Sequence, residues 1–96
     1  MGVTPAQAGV ERCELHPNRL CGWAGASYTG YFAGYDVPLD IACHPIGTYP
    51  RAGKNRTRYN VRYYSNANCT GGYATVNSGI QVYDLGFNAR SLKRLS

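Results

Sequence analysis

Acidic residues are scarce in this chain, which has 5 Asp and Glu against 10 Lys and Arg among its 96 residues. Charged residues make up only 16% of the total, and Met and Trp occur once each. So low a charged fraction excludes a disordered polyelectrolyte and a histone-like protein. No apolar run approaches the roughly 20 residues of a membrane span, and no apolar segment typical of a signal peptide is found. The length corresponds to about one small domain.

Glycine and tyrosine are abundant instead, with 12 and 9 copies. Glycine favours turns and tyrosine favours strands, so the composition predicts an all-β domain. We interpret residues 1–11 as the disordered terminus of a mature, exported protein whose leader is absent, and residues 12–96 as a single domain.

The cysteines indicate an oxidising compartment. An even number in a short chain is typical of a disulfide framework in a secreted protein, and the four are Cys13, Cys21, Cys43 and Cys69. Counting alone leaves three pairings open. We therefore expect a secreted, extracellular protein, with a cytosolic protein carrying free thiols as the alternative.

Strand-like alternation is clearest in "RYNVRYY" (58–64), where Tyr59, Val61 and Tyr63 fall on one face. The segments "GYATV" and "IQVYDL" show the same pattern on either side of a turn. Weaker strands are expected at "RLCGW" and "YFAGY", and a last strand at "ARSLKRL". The proline-interrupted segment "VPLDIACHPIGTYP" (37–50) is predicted to be a loop.

The two halves of the chain resemble each other. At a shift of 41 residues, "WAGASYTG" (23–30) lies over "YSNANCTG" (64–71), so that Thr-Gly meets Thr-Gly. At a shift of 34, "KNRTR" (54–58) lies over "NARSL" (88–92). This order suggests a duplicated folded hairpin, in which glycine permits a tight turn and a later Ser or Thr hydroxyl bonds back to it. Two such units would bury their open faces on each other as a sandwich.

Three segments carry a family resemblance: "CELHPNRLCGW" (13–23), "YYSNANCTGG" (63–72) and "NARSL" (88–92). Together they resemble secreted bacterial βγ-crystallin-like proteins, and more narrowly the actinobacterial peptidase-inhibitor family that includes a small metalloproteinase inhibitor. The resemblance covers about residues 12–95. It implies a disulfide-stapled Greek-key sandwich with a first motif at about 19–60, a second at about 61–95, and the pairings Cys13–Cys21 and Cys43–Cys69.

The resemblance also implies inhibition of an extracellular protease. Such an inhibitor needs a rigid loop that loses little conformational entropy on docking. Two loops qualify: "ELHPNRL" (14–20), closed by the implied Cys13–Cys21 bridge, and "HPIGTYPRAGKN" (44–55), which follows Cys43. The candidate contact residues are Arg19, Leu20, Ile46, Tyr49 and Arg51.

A basic, tyrosine-rich face is the alternative. It would serve antimicrobial binding to cell-wall polysaccharide, another carbohydrate or an anionic membrane. If the strand extends back to residue 56, it aligns several cations on one side, and the candidate residues are Lys54, Arg56, Arg58 and Arg62. We expect no nucleic-acid partner for an exported protein, and we expect a monomer.

Enzymatic and metal-binding patterns are poor. The adjacent Cys43 and His44 would point to opposite faces of a strand, so they predict no nucleophilic pair and no enzyme. A zinc site from Cys13, His16, Cys21 and Cys43 lacks a familiar ligand spacing. Calcium is a possible cofactor of crystallin-type motifs, but "KNRTRY" and "FNARSL" place Lys, Arg, Phe or Leu where oxygen ligands are expected. We therefore expect neither a cofactor nor a resident metal.

Overall fold

A computed structural model describes Cys13, which is helical, and residues 18–95, which form eight short β-strands and their connections. The strands are β1 (Leu20–Gly25), β2 (Thr29–Tyr35), β3 (His44–Pro45), β4 (Ala52–Asn55), β5 (Val61–Tyr64), β6 (Tyr73–Val76), β7 (Gln81–Val82) and β8 (Ser91–Arg94). The predicted all-β class is confirmed. Within the same residues, no helix is long and apolar enough to cross a bilayer. The N-terminus that we predicted to be disordered, 1–11, lies outside the described residues.

The strands form two antiparallel sheets of four. Sheet 1 has the order β2-β1-β4-β7, and sheet 2 has the order β3-β8-β5-β6. Each sheet therefore takes three strands from one half of the chain and one edge strand, β7 or β3, from the other half. The predicted Greek-key sandwich of two related half-units is confirmed.

Two strand boundaries differ from the sequence-based expectation. β5 begins at Val61 and not at Arg58. β4 (Ala52–Asn55) was predicted to be part of a loop, yet it pairs with both β1 and β7. Its sequence, "AGKN", contains neither β-branched nor aromatic residues, so propensity gave no signal. Pairing with two neighbours makes it a strand.

Backbone hydrogen bonds give the register of the two halves. At a shift of 41, Gly30 and Gly71 both adopt positive φ, at 78° and 85°, as the matched Thr-Gly pairs predicted. The predicted shift of 34 farther along is wrong. The amide of Ile46 donates to Arg90 O at 2.9 Å, and the amide of Leu85 donates to Arg51 O at 2.6 Å. These two bonds are equivalent in the two halves, because the donors Ile46 and Leu85 are 39 residues apart and so are the acceptors Arg51 and Arg90. The later part of the repeat therefore has a shift of 39.

The main core lies between the sheets. Its buried residues are Leu20, Val61, Tyr63, Val76, Leu85, Ala89 and Leu92. Gly22, in β1, lies against the buried Pro50, and no side chain fits there because a Cβ on Gly22 would approach Pro50 Cβ to 2.8 Å. A second cluster surrounds Trp23, whose ring centroid lies 5.1 Å from that of Tyr28 in an edge-on arrangement. Trp23 therefore packs against Tyr28 of the turn between β1 and β2 (residues 26–28).

The two disulfides join Cys13 to Cys21 and Cys43 to Cys69. The pairing implied by the family resemblance is thus confirmed. The first bridge closes a short N-terminal loop beside Trp23. The second ties the chain just before β3 to the turn between β5 and β6, and so links the two halves.

Candidate functional site

The β2–β3 loop (residues 36–43) has an apolar tip. Leu39 is the most exposed of the large apolar side chains in the described residues, at 94%, and Ile41 follows two positions later at 60%. Residues 39–42 form a bend that follows Pro38. Leu39 therefore buries almost nothing within the described fold and Ile41 less than half of its surface, so both are available to a partner.

Two arginines hold the first part of the β2–β3 loop. Arg19 donates from Nε to Asp36 Oδ1 at 3.1 Å and from Nη2 to Gly34 O at 3.1 Å. Arg94, in β8, donates from Nη1 to Pro38 O at 3.3 Å. The loop is therefore attached to Arg19, which directly precedes β1, and to Arg94 of sheet 2 before it reaches Leu39.

Asp40 holds the bend itself. Its Oδ1 accepts hydrogen bonds from His44 Nε2 at 2.6 Å and from the Ala42 amide at 3.1 Å. The hydrogen bond from His44, with that from Ala42, holds the pKa of the Asp40 carboxyl below its usual value. The carboxylate thus points back towards the fold, while its neighbours Leu39 and Ile41 remain exposed.

The disulfide Cys43–Cys69 fixes the far end of the β2–β3 loop. Cys69 lies in the β5–β6 turn (residues 65–72), where its amide donates a hydrogen bond to Ser91 Oγ at 2.9 Å. Ser91 Oγ in turn donates to Asn66 O at 2.5 Å. The bridge therefore anchors the loop to a turn that is itself tied to β8.

The first predicted inhibitory loop, 14–20, is described only from residue 18. Leu20 is wrong as a contact residue because its side chain is 0% exposed in the main core. Arg19 is half-buried and engaged with Asp36, so its role in this conformation is to position the β2–β3 loop.

The second predicted loop, 44–55, begins with β3 and ends with β4, and two of its three candidate residues contact the rest of the fold. Ile46 is half-buried and lines a groove of about 490 Å³ beside the β2–β3 loop. Arg51 pairs with Asp84 at 3.1 Å. Tyr49 is exposed, and its ring centroid lies 5.5 Å from the Arg90 guanidinium. Of the three, only Tyr49 projects into solvent as a contact residue would.

The predicted basic residues do not form one strip. Lys54 lies in sheet 1 and Arg62 in sheet 2. Arg56 donates to Cys13 O at 3.1 Å, and Arg58, in the β4–β5 loop, donates to Tyr59 Oη at 3.2 Å. The continuous strand back to residue 56 is wrong because β5 begins only at Val61.

Arg62 contributes to an aromatic surface on the outside of sheet 2. Arg62 lies with its guanidinium 4.4 Å from the Tyr73 ring centroid and donates to Thr75 Oγ1 at 3.0 Å. Tyr73 is 61% exposed, and its ring centroid lies 6.3 Å from that of Tyr64. We call this outer surface of sheet 2 the tyrosine–arginine face, which consists of Arg62, Tyr64, Tyr73, Thr75 and Lys93.

Neither the thiol nor the zinc hypothesis fits the described chain. All four cysteines are in disulfides, so Cys43 offers no nucleophile and His44 bonds to Asp40. Within Cys13 and residues 18–95, no three ligand-type side chains come together. In the second calcium-type segment, Asn88 Nδ2 donates to the carbonyls of Ala24 and Tyr49, which uses that side chain within the fold.

A family model of peptidase inhibitor family I36 matches residues 6–76, which include the whole β2–β3 loop and its disulfide. The chain belongs to peptidase inhibitor family I36. Membership of family I36 indicates a non-enzymatic inhibitor, in agreement with the prediction from the sequence. No curated protein matches the chain.

A solved structure described as "IPSE alpha-1, an IgE-binding crystallin" is similar to this I36 protein. The two share 17% sequence identity and a TM-score of 0.57 over 81% of this chain and 82% of the other. At this identity the likeness shows the fold alone. It confirms the crystallin-like architecture that the family resemblance implied.

Leu39, Asp40 and Ile41 of this I36 chain were not among the contact residues predicted from the sequence. Their segment, "VPLDIACHP", was predicted only to be part of a loop. A usable signal was present, since two large aliphatic residues flank an aspartate between a proline and a cysteine, with His44 four positions after Asp40. Without the tertiary contacts, that pattern does not distinguish an exposed loop from a buried one.

Proposed function

We propose that this protein is a secreted inhibitor that places its β2–β3 loop in the active-site cleft of an extracellular peptidase. The supporting observation is that two exposed aliphatic side chains, Leu39 and Ile41, lie between two points where the loop is fixed to the fold. These points are the hydrogen bond from Arg94 to Pro38 O and the Cys43–Cys69 disulfide. Membership of an inhibitor family supplies the activity class. The two disulfides support an extracellular location.

The attachments matter because binding a flexible loop costs conformational entropy. Immobilising a rotamer-rich side chain costs roughly 0.5–1.5 kcal/mol, and ordering the backbone adds to this. Here Arg19, Asp40, Arg94 and the Cys43–Cys69 bridge order the loop before it meets a partner. Most of that cost is therefore met on folding, which favours tight binding by a small convex loop.

An inhibition panel tests this proposal. The oxidised protein is titrated against a metallo-, a serine and a cysteine peptidase at low and high salt. We expect saturable inhibition of at least one class with little salt dependence, because an apolar loop in a cleft is screened weakly. Inactivity against every class would reject the inhibitor function.

Paired disulfide variants test the loop. Cys43→Ala with Cys69→Ala releases the β2–β3 loop, whereas Cys13→Ala with Cys21→Ala leaves it attached. Loop-entropy estimates for separations of 26 and 8 residues give stability losses of about 3.5 and about 2.5 kcal/mol. At a temperature where both variants remain folded by circular dichroism, only the first should lose inhibition. Equal inhibition by the two variants would show that the β2–β3 loop is not the segment that inhibits.

The tyrosine–arginine face supports a second candidate function, which is binding to carbohydrate or an anionic surface. The specific observation is the exposed ring of Tyr73 under the Arg62 guanidinium, with Tyr64 and Lys93 beside it. Sugar rings and anionic polymers bind to such combinations of stacking surface and positive charge.

Sedimentation with insoluble cell-wall polysaccharide and with anionic liposomes tests this second function. We expect Tyr73→Ala to weaken binding, and Tyr83→Ala, a control that is similarly exposed at 66%, to leave it unchanged. Binding to liposomes should fall steeply with salt. Failure of the wild-type protein to sediment with either would reject the candidate.

A further inference from the structure

We infer that Leu39 is the specificity-determining residue of the β2–β3 loop, and that it fills an apolar primary pocket in the target peptidase. This inference rests on the proposed inhibitor function. It goes further by naming one side chain and the chemistry of the pocket that receives it.

The exposure of Leu39 is the first argument. A leucine that is 94% exposed contributes almost no burial to folding, yet its full burial in a partner removes one of the larger apolar surfaces available from a single side chain. Residues that dominate binding are typically those that are buried centrally on complex formation. Leu39 meets this condition better than Ile41, which is less exposed at 60%.

The position of Leu39 is the second argument. It begins the bend of residues 39–42, directly after Pro38, whose carbonyl is held by Arg94, and directly before Asp40, whose carboxylate bonds to Ala42 and His44. The residues on either side of Leu39 are thus both fixed to the fold. The side chain between them is presented in a defined direction.

The charges near the tip define the pocket. Asp40 is the only charged residue within 37–43, and its carboxylate accepts from His44, away from Leu39. The tip therefore offers a peptidase an uncharged, branched aliphatic side chain. This fits an apolar pocket and does not fit a pocket with a carboxylate at its base, since burying that carboxylate against leucine would leave it unpaired.

The β5–β6 turn (65–72) is the competing contact because the Cys43–Cys69 bridge brings it next to the loop. Its exposed side chains are small or polar: Asn66, Ala67, Asn68 and Thr70. None of them can fill a deep apolar pocket. The β5–β6 turn instead supports the β2–β3 loop, and a variant of the turn serves as a comparison for the Leu39 variants.

The experiment measures the inhibition constant against the peptidase that the wild-type protein inhibits best. We expect Leu39→Ala to weaken inhibition about 10- to 100-fold, a range typical of truncating a central contact. The matched control is Ile80→Ala, an aliphatic residue that is 50% exposed between β6 and β7, and it should change the constant less than about twofold. Ala67→Asp tests the β5–β6 turn.

A variant that gains inhibition of a different peptidase distinguishes the loss of a contact from misfolding, because a misfolded protein would gain no inhibition. Leu39→Arg should lose inhibition of the original peptidase and acquire inhibition of a trypsin-like peptidase, whose pocket carries a carboxylate. Because Leu39 is exposed, both Leu39 variants should keep the wild-type melting temperature. Asp40→Ala should weaken inhibition by misplacing Leu39, and Asp40→Asn, which keeps an acceptor oxygen, should restore part of it.

The outcomes separate the two proposals. A wild-type protein that inhibits no peptidase overturns both. An active wild-type protein whose Leu39→Ala and Leu39→Arg variants inhibit as tightly as before overturns the Leu39 assignment alone. In that case, a loss confined to Ala67→Asp would move the contact to the β5–β6 turn.

Discussion

At the scale of single residues, Tyr35 and Tyr63 connect the two sheets through their hydroxyl groups. Tyr35 lies in β2 of sheet 1 and Tyr63 in β5 of sheet 2, and their oxygens are 2.7 Å apart. Burial raises the pKa of Tyr63 to about 12 and raises that of Tyr35 well above its ordinary value. The pair resists ionisation because a phenolate in this core would lack water.

These raised pKa values predict a loss of stability at alkaline pH. The unfolded chain releases the Tyr63 proton near pH 10, whereas the folded protein keeps it until about pH 12. The unfolded state therefore binds fewer protons in this window, and the free energy of unfolding falls as pH rises. For Tyr63 the loss is about 2–3 kcal/mol. Urea unfolding between pH 10 and 12 measures it, and Tyr63→Phe should flatten the slope. A free energy that stays constant across this window would contradict the prediction.

Asn55 is a buried amide with all its hydrogen bonds made. Its Nδ2 donates to the carbonyls of Tyr59 and Val76 at 2.6 and 2.9 Å, and its Oδ1 accepts from the amide and hydroxyl of Thr57 at 2.9 and 2.7 Å. The side chain thus organises the turn that leads from β4 into β5. This is why a residue with poor strand propensity ends β4.

We expect Asn55→Ala to destabilise the fold by about 2–4 kcal/mol, because it leaves buried partners such as Val76 O unpaired. Equilibrium urea unfolding gives the value. The control is Asn77→Ala, at an exposed position, which should change stability by no more than about 0.5 kcal/mol. Equal effects at the two positions would show that the network around Asn55 is not maintained in solution.

At the scale of elements, the two halves hold their first turns by different means. In the second half, Ser91 Oγ bridges the β5–β6 turn through Asn66 O and the Cys69 amide. In the first half the equivalent position, 39 residues earlier, is Ala52, which has no hydroxyl. The β1–β2 hairpin is held instead by Asn88 Nδ2, which donates to Ala24 O near the end of β1 at 2.8 Å, and by the Ser27 amide in the turn, which donates to Tyr83 O at 2.7 Å.

Ser91→Ala should therefore cost about 1–3 kcal/mol, since Ser91 is fully buried and its two partners lose their bonds. It should also increase the hydrogen-exchange rate of the Cys69 amide, which donates to Ser91 Oγ. Ser27→Ala is the matched control, because the exposed Ser27 contributes its backbone amide to the turn and not its hydroxyl. Unchanged exchange at Cys69 in the Ser91 variant would contradict the bridging role.

At the scale of the whole molecule, the exchange of strands joins the halves. β7 completes sheet 1 and β3 completes sheet 2, although each belongs to the opposite half of the chain. The main core draws Leu20 from the first half and Val61, Tyr63 and Leu92 from the second. Neither half keeps a complete sheet or a closed core without the other.

We therefore expect the protein to unfold in one cooperative transition with both disulfides intact. Differential scanning calorimetry should give a calorimetric enthalpy equal to the van't Hoff enthalpy. The result should hold for Leu39→Ala as well, because that side chain lies outside the core. Two separate transitions would show that the half-units fold independently.

Much of the architecture was predictable from the sequence because it depends on local patterns. The alternation around Val61 and Tyr63 identified β5, and the matched Gly30 and Gly71 identified the duplicated turns. β4 was not predictable, since "AGKN" becomes a strand only through pairing with β1 and β7. The shift of 39 in the later part of the repeat was also missed, because Ala52 has replaced the hydroxyl residue that marks the position in the second half.

The sequence by itself determined an all-β, duplicated, disulfide-linked domain. Glycine turns and strand alternation act over short stretches of chain, and an even number of cysteines in so short a chain predicts disulfides. Tertiary structure alone decided which side chains face solvent. It buried Leu20, turned Arg19 and Arg94 towards the β2–β3 loop, and left Leu39 exposed. Exposure depends on contacts between residues far apart in sequence, such as Arg94 with Pro38, and no local pattern carries that information.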